Sequence, residues 1–329
     1  MINATDPAER QEFVQQVLAG DFRAVARLMT LVENEPHRAI PYLRELFPYT
    51  GRCFTTGITG APGAGKSTLV DRLAESYRAA GKKVGIIAVD PTSPFTGGAI
   101  LGDRIRMQSR SLDECTFIRS MATRGHIGGL ARTTADVMTV MDAAGFDIVL
   151  LETVGVGQGE VEVARTADAT VVLLVPGMGD DIQVMKAGIM EIADIFVINK
   201  ADHPGADRTE AELRALLSMN LRADGWTPSI TRTIASEGKG VEECMQAVEE
   251  YRSFLSASEL RRNEKVRIQR DRLLELACMR AREELLNDTG TGARIQELAV
   301  LIADRKLDPF TAAEEVLRLH ASHRNQGGN

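Results

Sequence analysis

Several things that this sequence has little of exclude whole classes of protein. Its 329 residues contain four cysteines, and no two of them form a C-x-x-C pair: Cys53, Cys115, Cys244 and Cys278. Neither a disulfide framework nor a structural zinc site is therefore indicated, and we expect reduced cysteines in the core. No apolar run approaches the roughly 20 residues of a membrane-spanning helix. The first residues, MINATDPAERQEF, lack the basic and apolar regions of a secretion signal. We expect a cytoplasmic protein with no membrane segment.

An excess of positive charge is also missing. The chain has 39 Lys and Arg residues against 46 Asp and Glu residues, which gives a formal net charge of −7. This balance argues against a nucleic-acid partner, although a local basic patch remains possible. A hydrophobic content of 44% supports a substantial core. We therefore expect proteins or small molecules as partners.

The chain divides by pattern into three predicted parts. Residues 1–50 form a helical extension, because apolar residues recur there at helical spacing. In residues 51–253, β-rich runs such as KVGIIAVD and FDIVLLET alternate with helical stretches, which predicts an α/β domain with a doubly wound, mostly parallel sheet. Residues 254–329 are helical again, with a last helix that starts at Asp308-Pro309. This arm either packs against the sheet or mediates oligomerisation, and its long charged helix favours the second.

Residues 60–67 read GAPGAGKS and fit the phosphate-loop pattern G-x-x-x-x-G-K-[ST]. The strand-like FTTGIT precedes them and the amphipathic TLVDRLAESYRAAG follows, which is the context of a P-loop NTPase. Backbone N–H groups would surround the phosphates, Lys66 would contact the β- and γ-phosphates, and the Ser67 hydroxyl would ligate Mg²⁺. The predicted nucleotide contacts are Gly60, Ala61, Pro62, Gly63, Ala64, Gly65, Lys66, Ser67 and Thr68.

A second motif, Asn199-Lys200-Ala201-Asp202, predicts that the bound base is guanine. It follows the strand-like IFVIN and matches the N-K-x-D pattern of GTP-binding proteins. The Asp202 carboxylate can accept hydrogen bonds from N1–H and the 2-amino group of guanine, which adenine lacks. Sites of this kind reject the wrong analogue by about 10⁴–10⁵-fold. We therefore expect GTP and GDP as ligands, with contacts at Asn199, Lys200 and Asp202.

A third base-contacting loop is expected after the last strand. GTPases usually show Ser-Ala there, whereas this chain has Ala235-Ser236, so the register of the contacts stays open. The candidates are Ala235, Ser236 and Glu237.

Three acidic residues are candidates for the Mg²⁺ centre. Asp90 closes the strand KVGIIAVD and Glu152 closes FDIVLLE, so both should reach the carboxyl edge of the sheet, where ligands bind. Asp103 lies in GGAILGDR, and it is either a metal ligand or the N-cap of the helix RIRMQSR. Mg²⁺ prefers oxygen ligands and keeps several waters, so the predicted metal set is Ser67, Asp90, Asp103 and Glu152.

Together the segments GAPGAGKST, VDPTSPFTGGAILGDRIRM, ETVGVGQGE, GMGDDIQVMKAGIMEIAD and NKAD resemble the MeaB/ArgK family of P-loop GTPases. The match runs from Thr56 to Asp202, and the helical arms fit the same layout. The resemblance implies a G-protein chaperone of an adenosylcobalamin-dependent acyl-CoA mutase, chiefly methylmalonyl-CoA mutase. It also implies a homodimer formed through the C-terminal arm. Lys66, Asp90, Asp103 and Glu152 would form the catalytic Mg²⁺ and phosphate centre.

Two glycine-rich segments are predicted to be nucleotide-dependent switches. Gly155, Gly157 and Gln158 follow Glu152, where a hinge would report the γ-phosphate. The resemblance places a second switch at residues 177–188, read from the residues alone as a glycine-rich turn. Its polar candidates are Asp180, Asp181, Gln183 and Lys186.

The expected reaction is GTP hydrolysis to GDP and phosphate. The sequence contains no certain water-orienting glutamine or arginine finger, and Gln158 and Arg124 are only candidates. We therefore expect turnover that is slow in isolation and stimulated by a partner. Two alternatives stay open: a metallochaperone GTPase, disfavoured by five dispersed histidines, and a transport-system kinase, disfavoured because NKAD selects GTP.

Overall fold

The computed structural model describes residues 7–90, 116–122, 127–153, 166–177, 192–219, 222, 224–257 and 259–326. The chain divides into two compact units, Met1–Ser258 and Glu259–Asn329. The predicted boundaries at residues 50 and 253 stay a prediction. In the described part of the chain, no helix combines the length and the apolar character that crossing a membrane requires.

The first unit is built on a seven-stranded sheet in which every strand pairs with its neighbours in parallel. The spatial order is β3-β2-β4-β1-β5-β6-β7. The strands are β1 (Phe54–Gly60), β2 (Val84–Asp90), β3 (Thr116–Ala122), β4 (Ile148–Thr153), β5 (Ala169–Leu174), β6 (Ile195–Asn199) and β7 (Ser229–Thr233). The predicted doubly wound P-loop fold is confirmed.

Helices cover both faces of this sheet. In the described residues of the first unit they are α1 (Pro7–Leu18), α2 (Phe22–Asn34), α3 (Pro36–Leu46), α4 (Lys66–Ala79), α5 (Ile127–Ala143), α6 (Ala206–Met219) and α7 (Val241–Ala257). One core contains residues of α1, α2, α3 and α5 with Val149 and Leu151 of β4. The other contains residues of α4 and α7 with Ile148 and Leu150. Successive side chains of a strand point to opposite faces, and β4 is buried on both of them, with apolar residues from Ile148 to Leu151.

Helix α2 begins with a side-chain cap. Asp21 is the N-cap of α2, and its Oδ1 accepts a hydrogen bond from the Ala24 N–H at 2.8 Å. Apolar residues on one face of α2, including Val25, Leu28 and Met29, are fully buried. The helical extension thus contributes to the core that covers one face of the sheet.

The second unit consists of three consecutive helices, α8 (Glu259–Asn287), α9 (Thr289–Ala303) and α10 (Pro309–Gln326). Asp288 caps α9, and its Oδ2 lies 2.8 Å from Nδ1 of His323 on α10. The predicted start of the last helix at Asp308-Pro309 is confirmed, because Asp308 accepts hydrogen bonds from the N–H groups of Phe310 and Thr311 at 3.0 and 2.9 Å.

Candidate nucleotide-binding site

The phosphate loop connects β1 to α4 and contains two glycines at which a positive φ coincides with a close neighbouring group. Gly60 has φ 149°, and a Cβ there would lie 2.5 Å from the carbonyl oxygen of Leu173 on β5. Gly65, the N-cap of α4, has φ 93°, and a Cβ there would collide with Nδ2 of Asn199. At both positions the backbone conformation is one that residues with a side chain rarely adopt, and a Cβ atom would also have no room. The loop is therefore held against β5 and against the end of β6.

Lys66 is the first residue of α4 and is only 6% exposed. Its Nζ donates hydrogen bonds to the carbonyl oxygens of Gly60 and Ala61 at 2.8 and 3.0 Å. The ammonium group therefore lies inside the loop, next to the N-terminus of the helix. Positive charge at a helix N-terminus surrounded by backbone groups is the electrostatic arrangement that binds phosphate.

Ser67 and Glu152 bring two oxygen groups together at the start of α4. Glu152 is 8% exposed and lies near the carboxyl end of β4, level with Ile58 of β1 and Ala88 of β2. The Ser67 hydroxyl donates to Glu152 Oε1. A hydroxyl and a carboxylate beside the phosphate loop are the donor types that suit Mg²⁺, and they fit the predicted metal site. A buried carboxylate is also costly unless it has such partners.

Asp90 ends β2 at the same edge of the sheet, one residue beyond the pairing of Val89 with Thr153 of β4. Its position beside the Glu152 strand agrees with the sequence-based expectation, while its side chain lies outside the described residues. All seven predicted switch residues, one metal candidate and one candidate arginine also lie outside them: Gly155, Gly157, Gln158, Asp180, Asp181, Gln183, Lys186, Asp103 and Arg124.

Asn199 connects the phosphate loop to the loop after β7. Its side chain is buried, and Nδ2 donates to the carbonyl oxygen of Ala64 at 2.8 Å. Its Oδ1 accepts from the hydroxyl of Thr233 at 2.9 Å and from the N–H of Ala235 at 3.1 Å. One amide group thus holds together three segments that are distant in the chain.

Lys200 and Asp202 follow at the same end of β6. Lys200 has φ 55°, in the left-handed region, and its Nζ donates to the carbonyl oxygen of Gly63 at 3.0 Å. Asp202 is exposed, so its carboxylate is accessible to a ligand. The N-K-x-D motif therefore lies directly beside the phosphate loop.

The third predicted loop is a short 3₁₀ helix, Ala235–Glu237. Glu237 forms an ion pair with Lys239 at 2.7 Å, and this contact raises the pKa of the Lys239 ammonium above its ordinary value. The nearby Asp202 carboxylate adds a smaller contribution in the same direction. The loop and Asp202 consequently lie on the same side of the site.

Two residues that contact this site were not singled out from the sequence. Thr233 is buried at the end of β7 and donates to Asn199, a position that strand-end counting could have identified. Arg72 on α4 donates to the carbonyl oxygens of Ala235 and Ser236 at 3.3 and 3.2 Å. Nothing in the local sequence distinguishes Arg72 from an ordinary exposed helix arginine.

Known proteins share this arrangement along most of the chain. A family profile described as "Methylmalonyl Co-A mutase-associated GTPase MeaB" matches residues 25–293. A protein of Pyrococcus abyssi named as a GTPase is 47% identical over 314 residues, covering 93% of this chain and 95% of the relative. The GTPase ArgK of Escherichia coli is 39% identical over 297 residues, covering 87% of each chain. GTP hydrolysis, which both names state, is therefore the activity of this chain.

A solved structure extends the similarity to the fold. The crystal structure of an "LAO/AO transport system kinase" superposes with a TM-score of 0.69 at 26% identity, covering 95% of this chain and 98% of the other. The expected ligands, GTP and GDP with Mg²⁺, agree with the usual ligands of P-loop GTPases. The chain belongs to the MeaB family of P-loop GTPases.

Proposed function

We propose that this GTPase is a chaperone of an adenosylcobalamin-dependent acyl-CoA mutase, either methylmalonyl-CoA mutase or a close relative. In this proposal it gates loading and release of the cofactor on the mutase, and it protects or reactivates the enzyme. The family match over residues 25–293 is the observation that carries the proposal. The sequence has no D-x-H-x-x-G stretch of the kind that cobalamin mutases carry, so the cobalamin belongs to the partner.

Within the site, we assign phosphate binding to the loop and to Lys66. When phosphate is bound, the Lys66 ammonium would exchange its carbonyl partners Gly60 and Ala61 for phosphate oxygens. Ser67 and Glu152, with Asp90 and Asp103, would hold Mg²⁺ directly or through its water shell. The ion neutralises charge that develops on the transferred phosphoryl group.

Guanine recognition is assigned to Asp202 and to residues 235–237. Asp202 would accept the N1–H and 2-amino hydrogen bonds, and an N–H of the loop would donate to O6. The Asn199 side chain holds these segments together through its hydrogen bonds to Ala64, Thr233 and Ala235. These contacts make the protein selective for GTP over ATP.

Partner control is proposed because the sequence contains no certain water-orienting glutamine or arginine finger. Phosphoryl transfer needs little more than positioning of water and neutralisation of charge, and an arginine supplied by a partner raises such rates by about 10³–10⁵-fold. We expect slow turnover in isolation. The predicted switches at residues 155–158 and 180–186 would report the bound nucleotide to the mutase.

The experiment is to measure GTP turnover and adenosylcobalamin transfer with and without the purified cognate mutase. We expect the mutase to raise GTP turnover at least about tenfold, as partner-supplied catalytic groups do. The Lys66→Ala variant, which loses the phosphate-loop ammonium, is the control and should hydrolyse no GTP in either condition. If neither GTP turnover nor cofactor loading responds to the partner protein, the proposal is wrong.

The kinase named by the solved structure is the second candidate. A transport-system kinase would use ATP and transfer phosphate to a protein acceptor. Competition of ATP against GTP for binding separates the two functions. Displacement of GTP by equimolar ATP would favour the kinase, whereas retention of GTP supports the GTPase chaperone.

A further inference from the structure

Arg72 connects the helix that follows the phosphate loop to the loop after β7. It lies on α4, the helix that starts with Lys66 and Ser67, and its side chain reaches the loop after β7. Nε donates to the carbonyl oxygen of Ala235 at 3.3 Å, and Nη2 donates to the carbonyl oxygen of Ser236 at 3.2 Å. In the chain, Arg72 is 163 positions from Ala235 and 164 positions from Ser236.

The guanidinium is also held from its own helix. Its Nη1 forms an ion pair with Oε2 of Glu75, three residues further along α4, at 2.9 Å. The planar guanidinium presents its N–H groups in a fixed fork, so the Glu75 contact sets the direction of the two N–H groups that meet the loop. Arg72 is therefore oriented before any nucleotide binds.

The consequence for the loop follows from peptide geometry. In a trans peptide the C=O and the following N–H point in opposite directions. A carbonyl of Ala235 that is fixed toward α4 therefore directs the N–H of Ser236 away from α4. The neighbouring donors are already engaged, because the N–H of Ala235 donates to Asn199 Oδ1 and the N–H of Glu237 donates to the Ile234 carbonyl. Arg72 thus fixes the direction of the Ser236 N–H together with the N–H of Gly238, which donates to the same Ala235 carbonyl at 3.3 Å.

We propose that Arg72 is a positioning residue for guanine binding, acting through the backbone of Ala235 and Ser236 without touching the nucleotide. Guanine has an acceptor, O6, where adenine has an amino group, so a loop N–H of fixed direction favours guanine. The inference rests on the proposed guanine site. It adds that nucleotide retention depends on a contact from the phosphate-binding helix to the base-binding loop.

The test is the rate at which the isolated protein releases GDP. The purified full chain is loaded with GDP carrying a fluorescent label on the ribose and is chased with unlabelled GDP. Two hydrogen bonds from a charged donor are lost in Arg72→Gln, so we expect release to accelerate about tenfold and KM for GTP to rise similarly. The hydrolysis rate at saturating GTP should change less than about twofold, because the phosphate centre is untouched. Arg72→Lys keeps one donor and should restore part of the retention.

Two controls separate positioning from general destabilisation. Glu75→Gln removes the charge of the ion pair but keeps a side-chain oxygen that accepts from Arg72 Nη1, so the direction of the guanidinium and both contacts to the loop are retained. Arg208→Gln makes the same change as Arg72→Gln on an exposed helix arginine. Both should release GDP at nearly the rate of the unaltered protein. Thermal unfolding without nucleotide checks that each variant folds, and if Arg72→Gln does not, Arg72→Lys carries the test.

The results distinguish this inference from the guanine site on which it rests. The inference is overturned if Arg72→Gln, or Arg72→Lys in its place, releases GDP as slowly as the two controls while Asp202→Asn loses GTP selectivity. If Asp202→Asn keeps GTP selectivity, the assignment of the base site itself fails, whatever Arg72 does. Because all measurements use the isolated protein, they are independent of the mutase partner.

Discussion

At the scale of single residues, the phosphate loop offers a direct comparison between two glycines. Gly63 and Gly65 both have positive φ, at 77° and 93°. A Cβ at Gly63 would meet nothing within 4 Å, whereas a Cβ at Gly65 would collide with Asn199 Nδ2. Position 63 therefore requires glycine only because of its backbone conformation. Position 65 requires glycine also because a side chain has no room there.

We predict that Gly65→Ala weakens GDP binding far more than Gly63→Ala does. Each substitution brings the backbone cost of an alanine with positive φ, about 1–2 kcal/mol. Only Gly65→Ala also displaces Asn199, which holds the phosphate loop to the base-binding loop. Isothermal titration with GDP measures both affinities. Equal losses in the two variants would contradict the argument, because they would show that the collision is relieved without cost.

Asp202 supplies the test of base selection. The Asp202→Asn variant can no longer accept both guanine hydrogen bonds, but its amide can donate to the 2-oxo group of xanthine. We predict that affinity for GTP falls at least about 100-fold and that xanthosine triphosphate becomes the preferred nucleotide. The matched control is Asp207→Asn, which changes an exposed aspartate paired with Arg232. Retained GTP preference in Asp202→Asn would remove Asp202 from the base site.

At the scale of secondary-structure elements, a buried ion pair supports β5 and β6 at their amino ends. Asp194 precedes β6, and its Oδ2 accepts the N–H of Thr170 on β5 at 2.8 Å. Arg222 binds Asp194 Oδ1 at 2.8 Å and also pairs with Asp224 at 2.6 Å. Burial raises the pKa of Asp194 above its ordinary value, and the Arg222 guanidinium opposes that rise.

The sign of this shift gives a pH-dependent prediction for Arg222→Met. Without the guanidinium, the folded-state pKa of Asp194 moves further above its unfolded value. Below the unfolded pKa, near 4, the Asp194 carboxyl is protonated in both states, and the variant keeps this part of its stability. As the pH rises through the folded pKa, the carboxyl ionises in its buried position and that stability is lost. We expect the variant to lose about 3 kcal/mol of unfolding free energy at pH 8 and less at pH 4.5.

Urea unfolding of the variant and of the unaltered chain at both pH values measures this difference. Asp224→Asn is the control, because it removes only the more exposed partner of Arg222 and should cost about 1 kcal/mol at both pH values. Combining Arg222→Met with Asp194→Asn should abolish the pH dependence. A defect in Arg222→Met that is the same at pH 4.5 and pH 8 would contradict a charge-based cause.

At the scale of the whole molecule, the C-terminal unit has apolar side chains that face solvent. Leu273 and Leu274 on α8 are 65% and 56% exposed, and Phe310 on α10 is 83% exposed. Among the described residues, seven of the eleven large exposed apolar side chains lie in this unit, and such a concentration is typical of an interaction surface. They support the proposal, first made from the family resemblance, that the C-terminal arm forms a homodimer.

We predict that light scattering of the full chain gives twice the mass of the 35.8 kDa protomer. Replacing Leu273 and Leu274 together with glutamate should shift the mass to that of one protomer, because it puts two charges into an apolar contact. Met219→Glu, at a 79% exposed position of the other unit, is the control and should leave the dimer intact. A single-protomer mass for the unaltered chain would exclude the dimer.

Much of the fold was predictable from the sequence because its signals are local. The β-rich runs alternate with helical stretches, and the strand-like runs FTTGIT, KVGIIAVD, FDIVLLET and IFVIN occur in the sheet as β1, β2, β4 and β6. The cap at Asp21 and the helix start at Pro309 are read from neighbouring residues alone. The phosphate loop and N-K-x-D are also contiguous motifs, so their residues could be named before their positions in space were known.

The sequence by itself determined the chemistry of this protein: a phosphate loop, a guanine motif and carboxylates at strand ends. Only the tertiary structure decided which of these groups meet. Ser67 contacts Glu152 across 85 positions of the chain, and Asn199 contacts Ala64 across 135. Such pairs depend on the strand order that places β4 and β5 on either side of β1, with β6 next to β5. No local pattern encodes that order, and for the same reason Arg72 could not be recognised until α4 and the loop after β7 were seen in contact.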